Sequence, residues 1–400
     1  MSERAIPEVH VLSRPRTELL SGARLGFLDA LRGLAAAYVV VYHLLLIPQP
    51  NLPAPLWAEK FAHAGGNGVI MFFLVSAFSL CYTMPLRERD SSPVASFYLH
   101  RFFRIAPLFY LLIVLTLVRD RILFDTGHSV GEVLASVFFV FNLLPTGQEG
   151  FVWASWTIGI EMVFYACFPL IYLWTRDLGK AVAFFFGSIL LWMAVQLLMD
   201  YLLMPADWKA SILQWHALKH FPTFALGIVL FFAFKHCLLG GVVTPAARSA
   251  GSAILLGGLF GFCAMLQGWL PAVFGSAYGW SGVMCALIAL GLALWPVKAL
   301  VNPMTAYLGK VSYSLYLLHP TIIYLLIPVY RTIYADAGSV TLAFLASLAL
   351  TFAILLPLSS LSYRFVEKPG IGWGRRIASR WLAKAPDAPA MTLPQESPKP

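Results

Sequence analysis

Long apolar stretches recur along the whole chain, and short polar or charged segments separate them. Almost none of these stretches alternates apolar and polar positions with the period of a half-buried helix or strand. A helix needs about 20 mostly apolar residues to cross the roughly 30 Å hydrocarbon core of a bilayer. On this basis ten stretches are predicted to span a membrane: 26–47, 66–84, 104–119, 154–174, 180–202, 220–235, 250–268, 278–295, 311–330 and 339–362.

One further apolar stretch, Val130 to Leu144, is short and is followed by Pro145 and Gly147. Its length and these two helix-breaking residues predict a re-entrant or interfacial segment rather than an eleventh span. The predicted fold class is therefore all-α, a polytopic membrane bundle of about ten transmembrane helices.

Composition and charge agree with this topology. Of the 400 residues, 59% are hydrophobic and 12% are charged, whereas about a quarter of the residues of soluble proteins are charged. The net charge is +9, but the basic residues lie between the spans and at the termini, which argues against a nucleic-acid partner. With ten spans, the more basic loops and both termini fall on one side, and the positive-inside rule makes that side cytoplasmic.

The pattern divides the chain into three parts. Residues 1–24 are predicted to be a cytoplasmic N-terminal segment, and residues 25–370 form the transmembrane domain. Residues 371–400 are predicted to be a cytoplasmic tail that is basic at first and then disordered, because its end is rich in Pro, Ala and Ser. The cysteines are scattered without a CxxC pair, which predicts neither a disulfide framework nor a metal site.

The first span carries three ionisable residues, although a charged group at bilayer depth costs about 3 kcal/mol on insertion scales. Asp29 and Arg32 are three residues apart and share one helix face. Arg32 and His43 are eleven residues apart, so they share a stripe and lie about 16 Å from each other along the axis. This stripe is interpreted either as a functional path or as a helix-end ion pair with an interfacial histidine.

Glu161 is the one carboxylate placed well inside a predicted span, and Ser155 and Trp156 come shortly before it. On the ten-span topology Glu161 and His43 lie at comparable depth in the outer half of the membrane. A histidine beside a buried carboxylate is a common way to build a general base. A contact between these two residues is therefore predicted.

Two further segments place polar groups near the membrane. Arg101 and Arg104 precede the third span, where they serve either as positive-inside anchors or as a site for a phosphorylated cytoplasmic ligand. The ninth span contains Tyr313 and His319, which either join helices by hydrogen bonds or line a site.

These segments, in this order, resemble the acyltransferase-3 family of membrane-bound acyltransferases. The resemblance covers roughly residues 25–370 and rests on six ordered matches. They are Leu28–Gly33 with His43, Phe72–Ser76, Arg101–Pro107, Ser155–Trp156 with Glu161, Ser312–Tyr316 with His319–Pro320, and Tyr363–Pro369.

The resemblance implies transfer of an acyl group, usually acetyl from cytoplasmic acetyl-CoA, to a hydroxyl of a surface or exported glycan at a bacterial inner membrane. No tightly bound cofactor is expected, because acyl-CoA is a co-substrate. The residues assigned to catalysis are His43, Glu161, Arg32 and Asp29. Those assigned to the donor are Arg101, Arg104 and Arg32, and those assigned to the substrate are Ser155, Trp156, Tyr313 and His319.

The predicted mechanism has His43 as the base that deprotonates the acceptor hydroxyl, with Glu161 orienting it; an acetyl-histidine intermediate is the alternative. Two positions in the second span depart from the family pattern, because Ile70 and Ala77 stand where an aspartate and a glycine are common. Met162 replaces a second carboxylate that often follows Glu161. A proton-coupled transporter or flippase of a glycan or small molecule is the competing hypothesis, and an inactive scaffold is a third.

Overall fold

The computed structural model describes residues 25–88, 90–237, 243–271 and 278–382, and within these ranges it contains helices and no strands. The first half comprises α1 (Gly26–Leu46), α2 (Glu59–His63), α3 (Asn67–Arg87), α4 (Pro93–Leu123), α5 (Val130–Val137), α6 (Trp156–Trp174) and α7 (Leu178–Tyr201). The second half comprises α8 (Ala206–Trp215), α9 (Ala217–Cys237), α10 (Pro245–Leu266), α11 (Tyr278–Leu294), α12 (Pro303–Asp336), α13 (Val340–Ser362) and α14 (Lys368–Trp381).

Nine helical segments in the described residues are long and apolar enough to cross a membrane. The apolar helix α11 is shorter, with 17 residues, and its length of about 25 Å approaches the thickness of the bilayer core. Each of these ten segments overlaps one of the ten predicted spans. The all-α polytopic membrane bundle predicted from the sequence is confirmed, and the chain is an integral membrane protein.

Two spans are much longer than the hydropathy pattern indicated. Helix α4 has 31 residues and begins at Pro93, a residue suited to the first turn of a helix. Arg101 and Arg104 therefore lie inside α4 rather than in a loop before it. Helix α12 has 34 residues, so it extends for about 51 Å. The first turns of both helices are polar, so hydropathy alone does not predict these extensions.

The segment 130–155 enters the bundle without crossing it. A capping box between Ser129 and Glu132 begins α5, and the helix is only about 12 Å long. A 3-10 turn, Phe141–Leu143, follows, and its first two residues are buried. The Asn142 amide donates to the Trp215 carbonyl oxygen over 2.7 Å and accepts from the Ala217 N–H over 2.9 Å. Within the described residues this segment contains no helix of span length, as the sequence predicted.

The chain continues as a helix beyond the predicted end of the transmembrane domain. A π-helical turn, Tyr363–Glu367, joins α13 to α14. Gly370 and Gly374 of α14 lie against Phe103 and Pro107 of α4, where a Cβ atom would come within 2.7 Å of those side chains. The first part of the predicted tail is thus a helix packed on the bundle. Residues 1–24 and 383–400, where the other terminal predictions fall, lie outside the described residues.

The parallel helices α1 and α12 approach each other through glycine. A Cβ atom on Gly309 would lie 1.9 Å from the Asp29 carbonyl oxygen. A Cβ atom on Gly33 would lie 2.4 Å from the Thr305 carbonyl oxygen. Small residues of this kind allow two membrane helices to bring their backbones into direct contact.

We expect Gly309→Ala to separate α1 from α12 and to destabilise the protein, because the added methyl group overlaps backbone atoms. Overpacking typically costs about 1–3 kcal/mol, which would lower the melting temperature of a chain of this length by about 1–4 °C. The measurement is thermal unfolding of the detergent-purified protein. Gly257→Ala is the control, since a Cβ atom there meets nothing within 4 Å. Equal melting temperatures for the two variants would contradict the close helix contact.

Candidate functional site

A cavity lies between α1, α3, α4, α6 and α12. Its polar wall contains three arginines and one carboxylate, and aromatic side chains form much of the rest. The charged residues are Arg32, Arg101, Arg104 and Glu161, and the aromatic residues are Phe72, Phe73, Tyr165, Tyr313 and Tyr316. We call this space the arginine cavity.

Arg32 is fixed by neighbours on α1 and α3. Its Nη2 donates to Ser79 Oγ over 2.7 Å, and its Nη1 lies 4.0 Å from Asp29 Oδ1. Asp29 is 7% exposed, so it is a buried counter-ion behind Arg32 rather than part of the cavity wall. The predicted pairing of Asp29 with Arg32 on one helix face is confirmed.

Arg101 and Arg104 reach the same cavity because they are three residues apart on α4. The Arg101 guanidinium carbon lies 5.6 Å from the centre of the Tyr165 ring, a cation–π distance. The Tyr165 hydroxyl is itself held by Ser76 over 3.0 Å. Tyr165 follows Glu161 by one helical turn, so its position on the same wall was accessible to sequence reasoning but was missed.

The charge of the cavity wall is predominantly positive, and buried carboxylates lie behind it. Glu367 is 2% exposed, hydrogen-bonds to Ser314 Oγ and is within electrostatic range of Arg104. Buried counter-ions reduce the cost of keeping guanidinium groups away from water. The wall itself still presents arginine N–H groups, which suit phosphate or carboxylate oxygens.

A pair of histidines joins α1 to α12 beyond this cavity. His43 Nδ1 lies 3.0 Å from His319 Nε2, and the ring centres are 4.8 Å apart. His319 is fully buried, whereas His43 is half-buried. Tyr316 connects the two regions, since it lines the arginine cavity and its ring centre lies 5.6 Å from that of His319.

The hydrogen bonds of the histidine pair assign a proton to each ring. His319 Nδ1 faces the Tyr316 carbonyl oxygen, so this nitrogen carries hydrogen and donates. His319 Nε2 is consequently an acceptor, and the proton between the rings belongs to His43 Nδ1. A second acceptor, the Val39 carbonyl oxygen, also lies 3.0 Å from His43 Nδ1. His43 Nε2 then holds a lone pair, and no partner for it occurs among the described residues.

Glu161 does not contact His43, contrary to the sequence prediction. It lies in the arginine cavity, and no hydrogen bond or ion pair joins it to His43 within the described part of the chain. The cause is the re-entrant segment 130–155. The short helical turns of this segment come before α6, whose first residue, Trp156, packs against Phe73 inside the bundle. Five residues later, Glu161 has reached the level of the arginines.

The residues assigned to the substrate fall into two groups. Tyr313 lines the cavity and donates its hydroxyl hydrogen to the Ile105 carbonyl oxygen over 2.9 Å, while His319 is the partner of His43. Ser155 and Trp156 lie elsewhere. Ser155 donates to the Glu149 carbonyl oxygen over 3.0 Å, and Trp156 packs against neighbouring aromatic rings. Their contacts are those of structural residues.

Comparison with known proteins gives relatives for most of the chain. An O-acetyltransferase of Staphylococcus aureus (strain COL), so named provisionally, is 25% identical over 379 residues, covering 86% of this chain and 56% of the relative. The peptidoglycan O-acetyltransferase OatA of Listeria monocytogenes is 24% identical, covering 88% and 57%. The exopolysaccharide production protein ExoZ of Rhizobium meliloti is 27% identical, covering 66% and 78%.

The chain thus spans little more than half the length of the first two relatives. No solved structure matches. The sequence profile of the acyltransferase-3 family, described as an acyltransferase domain, matches residues 25–359. These residues include every helix that lines the arginine cavity and both members of the histidine pair, and the chain belongs to the acyltransferase-3 family.

Proposed function

We propose that this protein is a membrane O-acyltransferase that moves an acyl group, most concretely acetyl, from cytoplasmic acyl-CoA to a hydroxyl of a surface or exported glycan. The observation that carries the proposal is the arginine cavity connected through Tyr316 to a histidine pair with a lone pair on His43 Nε2. The relatives named for O-acetylation of peptidoglycan and for exopolysaccharide production support a glycan acceptor. A bacterial inner membrane, with both termini in the cytoplasm, is part of the proposal.

In this proposal the arginines receive the phosphates of acyl-CoA. Arg101 and Arg104 bind phosphate oxygens, and Arg32 lines the path further in. The arm that carries the thioester then extends along the α1 stripe toward His43, a distance of about 16 Å. Phe72 and Tyr316 form apolar contacts along this path, since both line the cavity and their ring centres are 5.5 Å apart.

His43 acts as the general base. Its Nε2 takes the proton of the acceptor hydroxyl as the oxygen attacks the thioester carbonyl carbon, and collapse of the tetrahedral intermediate expels the CoA thiolate. The proton held by His43 then neutralises the thiolate. His319 takes the orienting role that the sequence assigned to Glu161, because it accepts the His43 Nδ1 hydrogen. Glu161 instead balances the charge of the arginines.

We expect His43→Ala to lower acetyl transfer by about 10²–10⁴-fold, the contribution typical of a general base. His319→Ala should lower kcat by a smaller factor and leave the KM for acetyl-CoA unchanged, since it acts only through His43. The measurement is CoA release from acetyl-CoA by the purified protein with a glycan acceptor.

His63→Ala is the matched control, because His63 is exposed and, within the described part of the chain, bonds only to the Glu59 carbonyl oxygen of its own helix. Full activity of His43→Ala in folded protein would refute the assignment of the base. Solute transport into proteoliposomes in the absence of acetyl-CoA would instead favour the transporter hypothesis.

We expect Arg101→Gln and Arg104→Gln each to raise the KM for acetyl-CoA at least tenfold, the loss of one charge-assisted bond to phosphate. Acetyl-pantetheine, which lacks the nucleotide phosphates, separates phosphate binding from any other effect. The wild type should prefer acetyl-CoA to acetyl-pantetheine, and the two variants should lose that preference.

Arg380→Gln is the control for charge, since Arg380 is an exposed arginine on α14. An undiminished preference for acetyl-CoA in both cavity variants would show that the phosphates bind elsewhere.

A further inference from the structure

A second buried polar cluster lies at the end of the bundle where α4 terminates, outside the arginine cavity. Arg119 Nε donates to Asp120 Oδ1 over 2.7 Å, and Arg119 Nη1 donates to Thr321 Oγ1 over 3.0 Å. His128 Nε2 lies 2.9 Å from the other oxygen of Asp120. The cluster therefore joins the end of α4, the chain that follows it and α12. The mechanism proposed above uses none of these residues.

The remaining nitrogen of Arg119 has no hydrogen-bond partner among the residues that the structure describes. The Arg119 side chain is 9% exposed, and its Nη2 is buried without a hydrogen bond. A buried N–H donor that bonds to neither protein nor water is expensive, and an exception of this kind in a native structure often marks a ligand site. Two hydrogen-bond partners thus hold the Arg119 guanidinium in a fixed orientation. The N–H groups of its buried Nη2 are not used by any described residue.

An aromatic ring packs against the Arg119 guanidinium, and a second ring packs against the first. The Arg119 guanidinium carbon lies 3.7 Å from the centre of the Trp153 ring. Tyr324 lies 5.3 Å from Trp153, and both rings are half-buried. The residue after Trp153, Ala154, has a φ angle of +64°, a strained conformation for a residue with a Cβ atom. Trp153 therefore contacts the guanidinium on one side and Tyr324 on another.

The cluster lies close to the level of the histidine pair. Thr321 follows His319 by two residues on α12, so it is about 3 Å further along the helix axis. It also lies at the end of the bundle where α1 terminates after His43, because α1 and α12 run parallel. A molecule held by Arg119 is consequently on the side from which an acceptor hydroxyl must approach His43 in the proposed mechanism.

The chemistry of the cluster indicates what it binds. The charge of Arg119 is already balanced by Asp120, so the site offers N–H donors without an uncompensated positive charge. Aromatic faces beside a fixed donor suit a ring that has an apolar face and oxygen acceptors on its edge. We propose that Arg119, Trp153 and Tyr324 form a binding site for a neutral saccharide unit of the acceptor, with Arg119 Nη2 donating to a sugar oxygen. This inference rests on the proposed function, because only that function makes the bound saccharide an acceptor. Binding of a neutral saccharide to these three residues can be tested without it.

The test is direct binding of neutral saccharides to the purified full-length protein, measured by saturation-transfer difference NMR with cellotetraose and chitotetraose. Arg119→Lys keeps the charge opposite Asp120 but removes Nη2 and the planar face. We expect it to weaken binding at least tenfold. Trp153→Ala should weaken binding similarly, and Trp153→Phe should recover part of it because a ring is retained.

Arg121→Lys is the matched control, because Arg121 lies on the same helix end and is 71% exposed. Its saccharide affinity should equal that of the wild type, and melting temperatures identify any variant that has lost its fold. The inference is overturned if the wild type binds neither neutral saccharide, if it binds only the anionic tetragalacturonate, or if folded Arg119→Lys and Trp153→Ala bind as the wild type does.

Cleavage of acetyl-CoA by the wild type is measured in parallel. If the wild type binds saccharide but does not cleave acetyl-CoA, the proposed function alone is contradicted. If it cleaves acetyl-CoA but binds no saccharide, the binding site alone is contradicted.

Discussion

Direct backbone contact between α1 and α12 is the constraint on which the other features depend. Gly33 and Gly309 remove the side chains that would hold the two helices apart, and membrane helices associate largely through such packing because lipid supplies no hydrophobic force between them. The same contact sets the register of the two helices. That register brings His43 opposite His319 over 3.0 Å and leaves Arg32 at the other end of the stripe.

The bundle separates two kinds of electrostatic environment along its length. In the arginine cavity, guanidinium groups form the wall and carboxylates stand behind it or opposite it, so the wall attracts anions without being an isolated positive charge. At the histidine pair, the two rings face each other with neutral donors and acceptors. A charged ligand group is stabilised at the first place and disfavoured at the second. This difference would retain phosphates at one end while a neutral thioester advances to the other.

The helices were predicted well from the sequence because each span is recognisable by its length and its apolar composition. Helical spacing predicted a shared face for Arg101 and Arg104, and the family resemblance assigned Arg32 to the same ligand; all three line one cavity. Glu161 was placed wrongly because its depth was counted from the predicted end of a span, whereas α6 begins at Trp156, which already packs against Phe73 inside the bundle. The partner of His43 could not be predicted, because the pairing of α1 with α12 depends on contacts between residues 276 positions apart.

The orientation of His43 depends, at its far end, on a peptide carbonyl oxygen rather than on a side chain. The Tyr316 carbonyl fixes the proton on His319, and His319 in turn fixes the proton on His43. Every amino acid supplies this carbonyl, so no side-chain replacement at position 316 can delete the third member of the relay. Comparison of related sequences would therefore reveal two invariant histidines but no third invariant polar residue, and the relay would be invisible as a triad to any method that compares side chains alone.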